Sequence, residues 1–301
     1  MTTTLRGLGT ALVTPFLPDG AVDVEALRKF VAWQVEEGAD FLVPSGSTGE
    51  AQTLSTEERQ LVVRTVVEVA DGRVPVMAGA SSNDTREAVA EARRMASLGV
   101  TWVLSATPYY NKPTPEGLVQ HFTAVADACP VPVCLYNVPG RTAVNLKPDA
   151  VLRLADHDNI TGIKESSGDL AQVQHLLLGR PDGFAVLSGE DWMTLAILAA
   201  GGDGLVSVAG NEIPGLMRHL VHSALRGEVA EAREILFGVL PLLEANFLET
   251  NPAPVKHALS LMGRMHDVLR LPLVPLSASR RAPLVAALRA AGVDLPQGAA
   301  P

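Results

Sequence analysis

The sequence predicts an α/β protein, a (β/α)8 TIM barrel with a C-terminal helical extension. Three observations carry this. Eight short apolar runs recur, at 8–13, 41–44, 74–78, 102–105, 131–136, 160–164, 184–187 and 205–208. Each is bounded by Gly, Pro, Ser or Asp, as expected for parallel strands covered on both faces. Amphipathic helical patterns separate the runs, giving an eightfold strand–helix alternation. Finally, the strand signal stops near residue 226, and only helical patterns follow.

The elements follow in order. The first strand leads into Thr14-Pro15-Phe16-Leu17. That turn lacks the glycines of a nucleotide-binding doubly wound sheet, the competing architecture. The helix at 24–37 places Leu27, Phe30, Val31 and Val35 on one face. The next opens with Ser55-Thr56-Glu57-Glu58, a capping-box pattern, and continues through Leu61, Val62, Thr65 and Val66. Similar patterns cover 85–98, 115–128, 148–155, 170–178, 192–200 and 213–225. Helices at 229–247, 254–262 and 283–291, joined by Pro-containing loops, form the tail. The division is therefore a barrel at 1–225 carrying the active site and an extension at 226–301. Residues 297–301 are expected to fray.

Composition narrows the function. Hydrophobic residues make up 47% and charged residues 19% of the 301-residue chain, which fits a globular enzyme. A net charge of −9 without a basic block argues against nucleic-acid or anionic-membrane partners. No apolar run reaches the roughly 18 residues of a transmembrane helix. The first residues, Met1-Thr2-Thr3-Thr4-Leu5-Arg6, lack a signal-peptide pattern. Two cysteines, Cys129 and Cys134, suggest a reducing cytoplasm and no disulfide framework.

In this barrel type, the active site lies at the carboxyl ends of the strands. Strand two leads to Ser45-Gly46-Ser47-Thr48-Gly49-Glu50, and strand four to Thr107-Pro108-Tyr109-Tyr110-Asn111. Strand five delivers Tyr136, strand six Lys164, and strand seven Ser188-Gly189-Glu190-Asp191. Lys164 ends a buried run, and burial favours a neutral, nucleophilic amine. Strand alternation sends Glu165 to the opposite face. Tyr136 can move protons as a carbinolamine collapses to an imine, and Ser47 can link one phenol to another. The glycines around Ser47 let backbone amides approach a small carboxylate. Arg141 can hold a second carboxylate through paired hydrogen bonds.

Taken alone, each signal has a plainer reading: a snorkelling lysine, a core tyrosine, an ordinary Gly-rich loop. Their coincidence at one end of successive strands favours a site. Ala200-Gly201-Gly202-Asp203-Gly204 precedes strand eight and reads as a helix-to-strand turn on the opposite face. His219 and His222 share a helical face without a carboxylate to complete a metal set. Cys134 reads as a small core residue. No metal site is expected.

These motifs resemble the pyruvate-dependent class I lyase family that contains the dihydrodipicolinate synthases and N-acetylneuraminate lyases. The carriers are Gly46-Ser47-Thr48-Gly49-Glu50, Thr107-Pro108-Tyr109-Tyr110-Asn111, Tyr136-Asn137-Val138-Pro139-Gly140-Arg141-Thr142, Gly162-Ile163-Lys164-Glu165 and Leu187-Ser188-Gly189-Glu190-Asp191. Asn251-Pro252-Ala253-Pro254-Val255-Lys256 and Leu269-Arg270-Leu271-Pro272 extend the resemblance into the tail.

The synthase branch matches best. The resemblance implies an imine between Lys164 and pyruvate, with no cofactor. It implies a proton relay of Tyr136, Ser47 and Tyr110, with Tyr110 supplied by a neighbouring subunit of a homotetramer. Ser47 and Thr48 would hold the pyruvate carboxylate, and Gly189 and Val206 would line the pocket. Arg141 would bind aspartate 4-semialdehyde, giving 4-hydroxy-tetrahydrodipicolinate for lysine and diaminopimelate biosynthesis.

The synthases usually carry Thr-Thr in the strand-two loop. Ser47-Thr48 matches the neuraminate lyases instead. The alternative is accordingly a related aldolase acting on a sugar acid or another 2-oxo acid, such as N-acetylneuraminate or 2-keto-3-deoxygluconate. A catalytically silent binding barrel is the third reading. Asn83, Glu87 and Tyr109 match positions of the family's regulatory lysine site. Thr56 and Arg59 stand where lysine-sensitive members often have histidines, so weak or absent inhibition is expected.

Overall fold

The computed structural model describes residues 4–295; the tail expected to fray lies outside them. Eight parallel strands run β1 (Gly7–Ala11), β2 (Phe41–Val43), β3 (Met77–Gly79), β4 (Trp102–Ala106), β5 (Val133–Asn137), β6 (Ile160–Glu165), β7 (Ala185–Ser188) and β8 (Gly204–Ser207). Each pairs with its sequence neighbours except across β2 and β3, and β8 pairs with β1. The β2–β3 seam is closed by a bridge between Leu42 and Val76. Leu42 N donates to Pro75 O at 3.0 Å, and Gly79 N to Pro44 O at 3.0 Å. The expected barrel is therefore observed.

The alternating helices are α1 (Val24–Glu36), α2 (Thr56–Ala70), α3 (Thr85–Ala96), α4 (Pro115–Ala128), α5 (Pro139–Thr142), α6 (Pro148–Ala155), α7 (Leu170–Gly179), α8 (Thr194–Ala199) and α9 (Pro214–Leu225). The extension holds α10 (Val229–Ala245), α11 (Ala253–Leu261) and α12 (Ala278–Ala290). The capping box at Ser55 and Glu58 is present in both directions. Among the described residues, no helix is long and apolar enough to cross a membrane.

Three elements depart from expectation. The third strand begins at Met77 rather than 74, because Pro75 has no N–H to offer and Val76 bridges only to Leu42, its carbonyl accepting from Thr101 N and Trp102 N. The last helix begins at Ala278 rather than 283. Its first turn is polar and exposed, so only the half beyond Pro283 carries an apolar pattern. The four-residue α5 left no periodicity, because Thr142 is its only buried residue.

Alternation along the strands divides the interior. Ala11, Phe41, Val43, Met77, Leu104, Cys134, Tyr136, Leu187 and Val206 fill the barrel. Leu42, Val103, Leu135, Ile163 and Val186 face outward to the helices. Burial pushes the Cys134 thiol up to about 12, as befits an inert core residue. Asp203, before β8, accepts from Val186 N at 2.8 Å and pairs with Arg180, so the Gly201-Gly202 segment is a structural turn. The two histidines of α9 do find carboxylates, contrary to expectation. His219 meets Glu231 at 3.0 Å, and His222 meets Asp40 at 2.8 Å. The sequence separations are 12 and 182 residues, and the second pairing is invisible to local reading. Among the described residues, no group of three or more metal-ligating side chains forms.

Candidate active site

The carboxyl ends of the strands open into a cavity of about 690 Å³. Ser47, Thr48, Tyr136, Arg141, Lys164 and Gly189 all line it. The loop after β2 begins and ends on residues with positive φ, Ser45 at 57° and Glu50 at 53°. This folds the loop back so that Gly49 N bonds Gly46 O at 3.1 Å, and Glu50 N bonds Ser47 O at 3.1 Å. The amides of Ser47 and Thr48 make no hydrogen bond among the described residues. A side chain at Gly46 would meet nothing within 4 Å, whereas one at Gly49 would press on Leu12 O at 3.0 Å. The loop thus presents free donors to an open space, the arrangement a small anion requires.

Lys164 and Tyr136 pair across β6 and β5. Both point inward and are nearly buried, at 6% and 9% exposure. The amine lies 4.3 Å from the centre of the phenol ring. Among the described residues, no carboxylate comes within ion-pair distance of it. Glu165 points the other way, as alternation requires. Asn137, Gln172 and the Ser167 amide hold its carboxylate. Burial pushes that carboxyl up, with the hydrogen bonds opposing.

The turn formed by α5 carries Arg141, whose Nη2 reaches Asn251 O at 3.4 Å. Asn251 is buried, and its Nδ2 donates to Thr48 Oγ1 at 2.9 Å. One residue of the tail therefore joins the anion loop to the arginine. Sequence reading placed Asn251 only within a motif of the tail. The asparagine before Pro252 was the signal, but no local pattern shows a partner 203 residues away.

Other expected residues fall differently. Tyr110 is 88% exposed with φ of 74°, and it does not reach this chain's cavity. Tyr109 and Glu87 line the cavity, together with Thr56 and Arg59. Asn83 does not, although its carbonyl accepts from Asn111 at 2.8 Å. Val206 sits fully buried inside the barrel, and the cavity wall is formed by Val208 instead. Val206 precedes the end of β8, whereas Val208 follows it, at the level where the cavity opens.

Beneath the loop lies an unanticipated ion pair. Lys256 on α11 donates to Glu50 Oε1 at 2.7 Å and to Thr14 O at 2.9 Å, with neither side chain exposed. Its amine stands 4.1 Å from the Phe16 ring centre. Burial pulls the Lys256 amine down, and Glu50 opposes that pull. The other Glu50 oxygen accepts from Arg270 N at 3.2 Å. The Arg270 guanidinium grips Glu58, holding that carboxyl down at about 2.

Removing one partner of a buried pair leaves an uncompensated charge. Lys256→Met is expected to lower unfolding free energy by ~3–5 kcal/mol and to weaken anion binding at Ser47. Denaturant titration checks the first. A loss below ~1 kcal/mol would mean that the pair does not anchor the loop.

Residues 4–291 match the Dihydrodipicolinate synthetase family. A 4-hydroxy-tetrahydrodipicolinate synthase of Koribacter versatilis is 52% identical over 290 residues, covering 96% of this chain and 97% of the relative. One from Acidobacterium capsulatum is 51% identical over 282 residues, 93% of each chain. Among solved structures, dihydrodipicolinate synthase of Thermotoga maritima superposes with a TM-score of 0.95 at 40% identity, covering 97% and 100% of the two chains. The chloride-inhibited enzyme of Acinetobacter baumannii, complexed with pyruvate, gives 0.95 at 42% identity over the same shares. Similarity of this extent covers the barrel, the anion loop and the tail residues that support it: the chain belongs to the dihydrodipicolinate synthetase family.

Proposed function

We propose that this enzyme condenses pyruvate with L-aspartate 4-semialdehyde, the reaction of a 4-hydroxy-tetrahydrodipicolinate synthase. The observation that carries this reading is Lys164, a buried inward amine facing the free amides of Ser47 and Thr48 across one cavity. The relatives' shared activity and the pyruvate complex of the Acinetobacter baumannii enzyme support it. No observation favours a sugar-acid substrate.

The steps follow from the geometry. Pyruvate's carboxylate lies against the Ser47 and Thr48 amides, which places its keto carbon over Lys164. The amine attacks that carbon, water leaves, and an imine forms. Loss of a methyl proton gives an enamine, which attacks the aldehyde of the second substrate. The substrate's own amine then attacks the imine carbon, and Lys164 is expelled. Tyr136 and Ser47 carry protons, aided by Tyr110 from a neighbouring subunit. The reaction needs no metal or organic cofactor. Arg141 binds the semialdehyde carboxylate.

Borohydride reduction in the presence of pyruvate is expected to fix an adduct on Lys164, detected by mass spectrometry; an unmodified Lys164 overturns the mechanism. Arg141→Ala should keep that adduct while raising KM for the semialdehyde by about 10- to 100-fold. Unchanged semialdehyde kinetics would remove Arg141 from the site.

The exposed Tyr110 supports a contact in which dimers exchange this residue; a homotetramer of such dimers in the cytoplasm is the assembly proposed. One structural relative is a monomeric variant, with a TM-score of 0.94 and 40% identity over 96% of this chain, so assembly is a property of each sequence. Tyr110→Phe is expected to cut kcat by about 100-fold without changing the oligomer seen by sedimentation. Full activity would place Tyr110 outside the relay.

The part of the cavity lined by Glu87 and Tyr109 is read, with Asn83 at its edge, as the counterpart of a regulatory site. The enzyme of Cyanidioschyzon merolae has lysine bound. Here Arg59 places a guanidinium there, 3.0 Å from Glu91, where it opposes a cationic ligand. Millimolar lysine is therefore expected to leave the rate nearly unchanged, and strong inhibition in a coupled assay would refute this.

A further inference from the structure

Four carboxylates line the cavity: Glu50, Glu87, Glu91 and Glu190. Glu50 is taken by Lys256 and the Arg270 amide. Glu91 lies between Arg59 and Arg94. Glu87 is exposed in the first turn of α3. Glu190 differs from all three. Its carboxylate is part-buried and in no ion pair among the described residues, with only the neutral side chains of Trp192 and Ser166 beside it, and its backbone is fixed. Its carbonyl accepts from Ser188 Oγ at 2.8 Å and Thr194 Oγ1 at 3.2 Å, and its amide donates to Ser188 Oγ at 3.2 Å.

The position is close to the reacting amine. A side chain on the preceding Gly189 would stand 2.9 Å from Lys164 Cε and 1.9 Å from Ser166 Oγ. The Ser166 hydroxyl is itself buried without a partner. An acid without a cationic partner and a buried hydroxyl therefore border the same corner of the cavity. Burial, and then Asp191, push the Glu190 carboxyl up, while Lys164 and the side chains of Trp192 and Ser166 pull against that. A part-buried carboxylate of this kind gains most from a cationic partner.

We propose that Glu190 is a specificity residue that binds the ammonium group of the aldehyde substrate, while Arg141 holds that molecule's carboxylate. This rests on the proposed condensation with an α-amino aldehyde acid. A cation site at one wall and an anion site at another read the amino-acid end of the substrate. A sugar acid has no ammonium to satisfy Glu190, so the same residue discriminates against it.

The full-length enzyme tests this with two ligands. L-Aspartate 4-semialdehyde carries the ammonium, and succinate semialdehyde keeps the aldehyde and carboxylate without it. Glu190→Gln should raise KM for the first by about 10- to 100-fold, leave the inhibition constant of the second unchanged, and retain the pyruvate adduct on Lys164. Glu190→Asp keeps the charge and should recover part of the affinity, which guards against a poorly folded Gln variant. An unchanged KM, parallel losses for both ligands, or no recovery with Asp would overturn the assignment. Failure of the wild-type enzyme to form the adduct or turn over the semialdehyde is a different result. It overturns the proposed reaction itself, and this assignment with it.

Discussion

The buried pairing of Lys256 with Glu50 is the contact on which the geometry of this site depends. Glu50 closes the loop after β2 in a left-handed conformation, which for a non-glycine residue is stable only when its surroundings fix it. Both its carboxylate oxygens are held, one by Lys256 and one by the Arg270 amide. The loop cannot relax toward the cavity without unpairing a buried charge. Desolvating two ions is costly, and an apolar pair of the same volume can be equally stable. What the ion pair adds here is direction, because it joins one atom of α11 to one residue of the loop.

The tail is thus part of the catalytic half of the molecule, although it follows the barrel in sequence. Asn251 bonds Thr48 from one side and accepts from Arg141 on the other. Arg270 clamps Glu58, which also caps α2. Three successive tail residues therefore position, in turn, the anion loop, its closing glutamate, and the helix that follows it.

This explains what could and could not be read from the sequence. The eight strands and most helices were legible because periodicity and capping are local properties. Inward placement of Lys164 and Tyr136, and outward placement of Glu165, followed from strand alternation alone. The roles of Asn251 and Lys256 were not legible, since their partners lie 203 and 206 residues away. A buried lysine in an Ala- and Pro-rich helix gives no periodic signal. The last helix was truncated for the opposite reason: its exposed first turn has no apolar face to detect. Val206 was assigned one step too deep, because the strand marks a direction but not the depth at which the cavity begins.

Charge in the cavity is then divided by commitment rather than by composition. Two of its four acids, Glu50 and Glu91, are paired, and so they add little net attraction for a cation. Arg59 and Arg94 neutralise Glu91 on the α3 side of the cavity. Lys256 neutralises Glu50 beneath the loop. Lys164 faces no ion-paired carboxylate, and a firmly paired ammonium could not serve as a nucleophile. Of the two acids without an ion pair, Glu87 is exposed and Glu190 is part-buried, set one residue beyond the glycine that gives Lys164 its space. Its separation from the amine matters: close enough for the two charges to be felt, it is not locked to Lys164 by a hydrogen bond. A carboxylate so placed can engage a substrate's ammonium without immobilising the Lys164 amine, the nucleophile of the proposed reaction. The glycine at 189 meets both requirements at once, clearing room for the lysine chain and setting the acid back by one residue.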